Sequence, residues 1–348
     1  MSAGRTLAMA RKEMRHIARD ARSLTLALAV PVMLLLLFGA ALSLDVDRIP
    51  TLIHDGDRTP ASREVVARFA GSRYFEVRNA GSVREVERSI DAGTTLLGVV
   101  IRNRQVQILI DGSDSNTASI AKGYAEAAVR GPVATRIEAR PRVWYNSEIK
   151  SKNYVVPGLI AVIVAIIAAL LTSLTIAREW ESGTMEQLLS TPLQPEELVL
   201  GKMLAFFGIG VVDTAIAVVV GVFVFDVPFR GEVWLLGAMT CLFLSGALLW
   251  GILISAVARS QVLAFQLAMT SSFLPAFLLS GFVYAIEGMP PVIQILTYAF
   301  PARYFVTALK GIFLKGVGLE VLWAQAAFLA VYTTVVFAVA TRKVGSRV

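Results

Sequence analysis

The chain has 348 residues, 55% of them hydrophobic and only 17% charged, with a net charge of +7 and a mean hydropathy of +0.64. An ordinary soluble domain carries about 25% charged residues, and the shortfall here is uneven: 31 of the 109 residues from 45 to 153 are charged, against 28 of the other 239. This excludes a soluble enzyme, a secreted disulfide scaffold and a disordered protein, and predicts a water-soluble segment set into lipid-embedded chain.

Residues 1–22 form a basic leader containing Arg5, Arg11, Lys12, Arg15, Arg19 and Arg22. Leu7, Ala10, Met14, Ile17, Ala18 and Ala21 recur at helical spacing, so the leader reads as an amphipathic helix in the membrane interface with its basic side chains toward headgroups. The plainer alternative is a charge cluster that only sets orientation. The first apolar run, Ser23–Leu44, is placed at residues 23–44 as a span. A cleaved signal peptide is the competing reading, but leader and apolar run are both long for one.

Residues 45–153 alternate strand-like and helix-like stretches, which predicts a small α/β domain with a mixed sheet. Strands are expected at Pro50–His54, Tyr74–Val77, Leu96–Ile101, Val106–Ile110 and Arg142–Tyr145. Helices are expected at Pro60–Ala70, after a Ser82/Glu85 capping box, and near Ser115–Arg130. Asp55, Asp57, Asp111 and Asp114 could be imagined around a cation, but each pair lies at a strand end beside glycine, where aspartate serves turns.

Residues 154–341 hold the other five predicted spans: Tyr154–Ala177, Met203–Phe225, Val233–Ala258, roughly Ser260–Ile286, and Val321–Thr341. The single cysteine, Cys241, lies in one of these runs and reads as a buried, inert thiol. Residues 342–348 carry Arg342, Lys343 and Arg347. Both ends are basic, so positive-inside sorting puts both termini in the cytoplasm and residues 45–153 outside the cell's inner membrane. The positive charge is explained by orientation, and no nucleic acid is expected as a partner.

The loop after the second span reads Arg178-Glu179-Trp180-Glu181-Ser182-Gly183-Thr184-Met185-Glu186-Gln187-Leu188-Leu189-Ser190-Thr191-Pro192. Gly183 can end one helix, Thr184 with Gln187 can cap the next, and Pro192 and Pro195 prevent its continuation. A short stiff helix over about 184–191 is predicted. Its carboxylates run against positive-inside sorting, which points to a protein partner covering it. Further on, Gly288, Pro290, Pro291, Pro301 and Gly311 break an apolar stretch, so about 286–310 is expected as a re-entrant pair of short helices; the alternative is a surface helix. Asp213 stands alone as an ionisable residue well inside a span, either functional or paired with a hydroxyl on a neighbouring helix.

The loop resembles the Glu-x-Gly-Thr-x-Glu-x-Leu-x-x-Thr-Pro pattern of ABC-2 type transporter permeases, the membrane subunits of type-2 ABC exporters. Here it is carried by Glu181, Gly183, Thr184, Glu186, Leu188, Thr191 and Pro192, followed by Gly201-Lys202. A second similarity covers Leu279-Ser280-Gly281-Phe282-Val283-Tyr284, Met289-Pro290, Pro301, Tyr304-Phe305 and Gly311. The insertion between spans one and two is similar to that of the subgroup with a large extracytoplasmic domain. The resemblance implies an α-helical integral membrane protein of six spans plus that α/β domain. It implies a substrate path formed as a dimer, with an identical or related second copy, and a separate ABC ATPase contacted through residues 178–197. Candidate coupling residues are Arg178, Glu181, Gly183, Thr184, Glu186, Gln187, Leu188, Thr191 and Pro192. Candidate path residues are Asp213, Gly281, Tyr284, Pro290, Pro301 and Tyr304. A periplasmic adaptor is a further candidate partner.

The one Gly-Lys pair, Gly201-Lys202, lacks the spacing of a phosphate-binding loop, so ATP and Mg are expected on the partner ATPase and no cofactor in this chain. With two histidines and no catalytic triad pattern, the chain is not expected to be an enzyme by itself. Competing classes are a proton-coupled secondary transporter using Asp213, for which no internal repeat is found, and a non-transporting membrane sensor or assembly factor, which leaves the loop unexplained.

Overall fold

The computed structural model describes residues 2–19, 21–41, 48–112, 115–130, 150–284 and 286–346. The chain divides into two units, residues 1–43 with 143–348, and residues 44–142.

Helix α1 (Ala3–Arg19) buries Thr6, Met9, Ala10 and Glu13. Leu7 and Met14 are 68% and 55% exposed. The protein therefore claims a face about 80° round the helix from the one that the apolar stripe suggested. Ala10 and Ile17 turn inward as expected; Leu7, Met14 and Ala18 do not. The reason is a steric and electrostatic fit: a Cβ at Gly201 would lie 2.6 Å from Met9 Cβ, and Glu13 meets a lysine on the same helix as Gly201. Helix α2 (Ala21–Ala41) has 21 residues, but its apolar part, Leu28–Ala40, is shorter than the span expected over residues 23–44.

In the second unit, β1 (Ile49–Asp55), α3 (Pro60–Ala70), β2 (Phe75–Asn79), α4 (Val83–Asp91), β3 (Leu97–Arg102), β4 (Gln105–Ile110) and α5 (Ser115–Arg130) follow in order. The sheet order is β2-β1-β3-β4, parallel across the first two pairs and antiparallel at β3/β4. Ile49, Ile53, Phe69, Phe75, Val99 and Ala121 centre its core. The β3–β4 turn places Asn103 and Arg104 at φ 54° and 59°, the pair of left-handed residues a two-residue hairpin favours. Asp57 accepts from both their backbone N–H groups, at 2.8 and 2.7 Å. Asp55 accepts from Arg58 N and Ser62 Oγ, both at 2.9 Å. Both aspartates thus serve turns, and no cluster suited to a metal occurs among the described residues. Ser82 accepts from Glu85 N, but Glu85 reaches past it to Gly81 N, so only half of the expected capping box forms. Asp114 and the strand expected at 142–145 lie outside the described residues.

The remaining helices of the first unit are α6 (Ser151–Ser173), α7 (Thr175–Glu181), α8 (Thr184–Leu189), α9 (Pro195–Phe223), α10 (Val233–Ala258), α11 (Gln261–Ala268), α12 (Leu274–Leu278), α13 (Pro291–Thr297), α14 (Pro301–Lys310) and α15 (Leu319–Gly345). A π-helical turn, Met269–Phe273, joins α11 to α12, and another, Gly311–Lys315, extends α14. Among the described residues five helical stretches are long and apolar enough to cross a membrane, or six if the pair Pro291–Thr297 and Pro301–Lys315, bent by 85°, counts as one. Of the expected breakers, Pro301 opens the second arm at this bend, while Pro290 and Pro291 stand at the start of the first.

Helix α9 begins eight residues before the predicted third span because Pro195 sets its first turn and Glu197 caps Gln194 N. The fifth stretch stops at Leu278, short of the predicted Ile286, and Gly281 beyond it takes φ 78°. Cys241 is exposed on α10, contrary to the expected buried thiol, because that helix turns Thr240 and Phe243 inward instead.

Helix α6 is the buried axis, packed by α10, α9, α14 and α2. Small residues set the approach: a Cβ at Gly251 of α10 would lie 2.5 Å from Ala169 O. At the α6–α7 break after Ser173, Ser255 Oγ of α10 accepts from Ile176 N and Ala177 N, both at 2.9 Å, which satisfies two donors that the interruption frees. Helices α1, α7 and α8, the start of α9 and the ends of α10 and α15 share one end of the bundle. The start of α6, the end of α9 and residues 281–319 form the far end.

Candidate coupling site and path

Gly183, at φ 69°, turns the chain between α7 and α8, a left-handed position where a Cβ is strained. It is itself the residue that precedes the helix, so the expected Thr184/Gln187 capping box does not form. Thr184 is already the first helical residue, and its hydroxyl turns back to Glu179 O and Ser182 Oγ. At the other end Thr191 Oγ1 donates to Leu188 O at 2.6 Å before Pro192 stops the turn.

This short helix is keyed to the bundle by Met185, 2% exposed among Ile176, Leu198, Val199, Ile252 and Val344. Those residues come from α7, α9, α10 and α15, so Met185 ties α8 into a buried cluster that four helices build, with α7 as its main neighbour. Trp180 packs on the same cluster under the Arg259 guanidinium, 4.7 Å from its ring centroid. Glu181 turns toward α11, where it accepts from Gln261 N at 2.8 Å and from the Gln261 amide. Arg178, Glu186, Gln187, Thr191 and Pro192 are exposed, while Leu188 is half-buried.

Beneath α7 and α8 lies a cluster that the sequence did not announce. Lys202 of α9 is fully buried, with Nζ 3.0 Å from Glu13 Oε1 of α1 and 3.2 Å from Glu179 Oε2 of α7. Lys12 bridges the same carboxylates from outside, at 3.1 Å to Glu13 and 2.7 Å to Glu179. Two lysines and two glutamates neutralise one another at the junction of three helices, as buried charges must. Burial opposes ionisation of Glu13, but Lys202 and Lys12 outweigh it and hold its carboxyl below the ordinary glutamate value. For Lys12 burial likewise opposes charge, and Glu179 and Glu13 outweigh it, raising the ammonium above its usual range. One turn along, Glu197 accepts from the Arg5 guanidinium at 2.8 Å and from Ser2 N, which ties down the start of α1. The available signals were Gly201-Lys202 and an acid, Glu13, set among the bases of the leader.

A cavity of about 770 Å³ opens beside this cluster, walled by α1, α6, α7, α8, α9 and α11. Arg178, Thr184, Gln187, Leu188 and Thr191 of the predicted coupling set line it; Glu181, Gly183, Glu186 and Pro192 do not.

The path candidates are not brought together. Asp213 is 2% exposed on the inner face of α9, and its Oδ1 makes no hydrogen bond among the described residues. The expected pairing with a neighbouring hydroxyl is absent for that oxygen. Adjacent Thr214 donates instead to Gly210 O of its own helix. Pro301 starts α14 and lines a second cavity, about 290 Å³, with Phe243, Trp250, Ser272 and Tyr332. Tyr284 and Pro290 are exposed, and Tyr304 stacks on Phe328 at 3.8 Å between centroids. Gly281 does more: its carbonyl accepts from Tyr154 OH at 2.9 Å and from Lys310 Nζ at 2.8 Å, and that ammonium lies 3.3 Å from the Tyr154 ring centroid. A left-handed glycine thus locks the segment after α12 to α6 and α14. Tyr154, the first residue of the predicted second span, and Lys310, overlooked, are its partners.

The profile of ABC-2 family transporter proteins matches residues 22–342. A probable multidrug ABC transporter permease of Escherichia coli K12, YbhS, is 35% identical over 335 residues, covering 90% of this chain and 89% of its own length. A second one of that strain, YbhR, is 30% identical over 334 residues, covering 90% of each chain. The inner membrane transport permease YhhJ, also of K12, is 25% identical over 339 residues with 90% coverage of each. Apolar helices long enough to span a bilayer, the loop pattern and these matches together place the chain in the ABC-2 transporter family, as a membrane permease.

Proposed function

We propose that this chain is the permease subunit of an ATP-driven exporter, that two copies enclose the substrate path, and that a separate ABC ATPase drives it by holding α8. The observation that carries this reading is the seating of α8: a six-residue helix bounded by Gly183 and Pro192, buried through Met185, and presenting Glu186 and Gln187 outward. A connecting loop needs no such rigidity, whereas an element that receives force from a partner does. ATP and Mg belong to the partner in this reading, and this chain contributes the path. Similarity to multidrug permeases suggests small amphipathic organic cargo.

Orientation follows from charge. Arg11, Arg15, Arg19, Arg342 and Lys343 lie on helices that meet at the α8 end, which sorts to the cytoplasm. Residues 45–153 then face the periplasm, in the small α/β domain after the first span. The exposed valines of α9 and α15, among them Val212, Val219, Val331 and Val335, offer apolar surface to lipid or to the second copy.

The test is copurification of the ATPase with the Glu186→Lys variant. Reversal of an exposed charge at a complementary interface should release the ATPase and abolish ATP-dependent export, while membrane insertion and the permease dimer persist. Full ATPase retention and export would overturn the coupling role. The burial of Asp213 without a partner for Oδ1 favours a second reading, a proton-coupled transporter. Asp213→Asn separates the two: the exporter retains ATP-driven transport, and the proton-coupled carrier loses transport driven by a pH gradient.

A further inference from the structure

We propose that the cavity beside α8 is a binding site for an anionic phospholipid, which the membrane itself supplies, with the headgroup at α7 and α8 and acyl chain between the spans. This goes beyond the exporter reading and needs no ATPase.

The cavity, about 770 Å³, falls in the size range of small-molecule sites. Its wall is divided by element. Ile17, Leu170, Leu174, Phe206, Ile209 and Phe265, from α1, α6, α9 and α11 and the short α6–α7 junction, supply an apolar floor. Arg178, Ser182, Thr184 and Gln187, from α7 and α8 and the turn between them, supply a polar rim. An apolar body and a polar head are what such a wall can satisfy together.

Charge selects the sign of the head. Lys12, Glu13 and Glu179 also reach the cavity, but with Lys202 they form a neutral group whose members are committed to one another. What remains at the rim is cationic: the Arg178 guanidinium, which has no side-chain partner among the described residues. An arginine at a bilayer interface next to an apolar slot suits a phosphate, which takes its planar fork in two hydrogen bonds. A cationic amphiphile would meet Arg178 with no free carboxylate to oppose it.

The experiment is native mass spectrometry of the full-length permease, purified without any ATPase, delipidated, and titrated with phosphatidylglycerol, phosphatidylethanolamine or glycerol phosphate. Phosphatidylglycerol is expected to bind at one saturable site per chain. Arg178→Gln should weaken it about tenfold, the loss of one charge-assisted contact. Ile209→Trp, which fills the floor, should abolish it. Phosphatidylethanolamine should bind more weakly and respond to neither change. In parallel, phosphatidylglycerol with a photoreactive acyl chain should label wild-type peptides around Ile17, within residues 165–210 and around Phe265, a readout that depends on no variant folding. Equal binding of both lipids, indifferent to Arg178→Gln, would reduce the site to ordinary annular lipid and overturn the proposal. Binding of glycerol phosphate as tight as that of the lipid would make it a free-phosphate site and overturn the acyl-chain half. Labelling spread over all lipid-facing helices would do the same.

Discussion

Lys202 Nζ lies 3.0 Å from Glu13 Oε1, although 189 residues separate them in the chain. This contact makes the leader helix part of the folded bundle. Glu179, on α7 next to the turn into α8, shares the same lysine at 3.2 Å. Helices α1 and α7 therefore share one counterion, supplied by α9.

Removing Lys202 should be costly, because it leaves two carboxylates in a buried site with Lys12 alone to answer them. Lys202→Met is expected to destabilise the protein by about 3 kcal/mol, the usual scale for breaking a buried pair. Adding Glu13→Gln should recover part of the loss. Thermal unfolding in matched detergent checks both; a single variant as stable as wild type would show that the cluster contributes nothing.

The same site predicts a direction with pH. Glu13 is held below the ordinary glutamate pKa of about 4.3. Its contribution is thus complete above that value and is lost as pH falls through the lower, folded one. Acid unfolding should steepen below about pH 4 in wild type, and Glu13→Gln should flatten that limb. Unchanged acid curves would separate Glu13 from the stability of α1.

Gly183 tests whether the turn before α8 matters as backbone. Nothing lies within 4 Å of a Cβ built there, so Gly183→Ala meets no clash and pays only the left-handed strain, about 1 kcal/mol. Gly183→Asn should cost less. Insertion should be normal for both, with melting temperatures ordered glycine, asparagine, alanine. An alanine variant at wild-type stability would mean that the loop relaxes to another turn.

At the far end, Tyr154 and Lys310 hold one carbonyl between them. Tyr154→Phe should cost about 1 kcal/mol and Lys310→Met somewhat more, since the latter also loses the ring contact. The double variant should fall short of the sum by at least about 0.5 kcal/mol, as neighbours in one network do. Strict additivity in denaturation assays would show that the two contacts act independently.

The proposed orientation has its own check. In a Cys241→Ser background, Asp91→Cys and Glu186→Cys should react with an impermeant thiol reagent from opposite faces of the membrane. Asp91 and Glu186 are both exposed, so accessibility does not decide the outcome. Labelling from the same face would overturn the topology.

Much of the helical plan was legible because lipid imposes a length and a composition that few other settings demand. The loop helix was legible from its breakers, Gly183 and Pro192, although Thr184 proved to be inside the helix and not its cap. The face of α1 was misread because its burial is decided by partners nearly two hundred residues away: Gly201 admits Met9, and Lys202 draws in Glu13. Periodicity reports that a helix has an apolar side, not whether lipid or protein will cover it. Likewise Gly281 was marked only by a motif, and its carbonyl's two donors come from helices remote in sequence.

Helix α9 runs without a break from Pro195 to Phe223, 29 residues or about 44 Å of stiff rod. One tip is gripped by Arg5 and Ser2 through Glu197. Near the other, Gly221 rests against Val156 and Ile160. Such a rod behaves as a lever: a tilt of about 5° around its centre carries each tip roughly 2 Å, in opposite senses. Displacement of the Glu197 tip would therefore shift the far tip by a similar distance, toward or away from Val156 and Ile160 of α6.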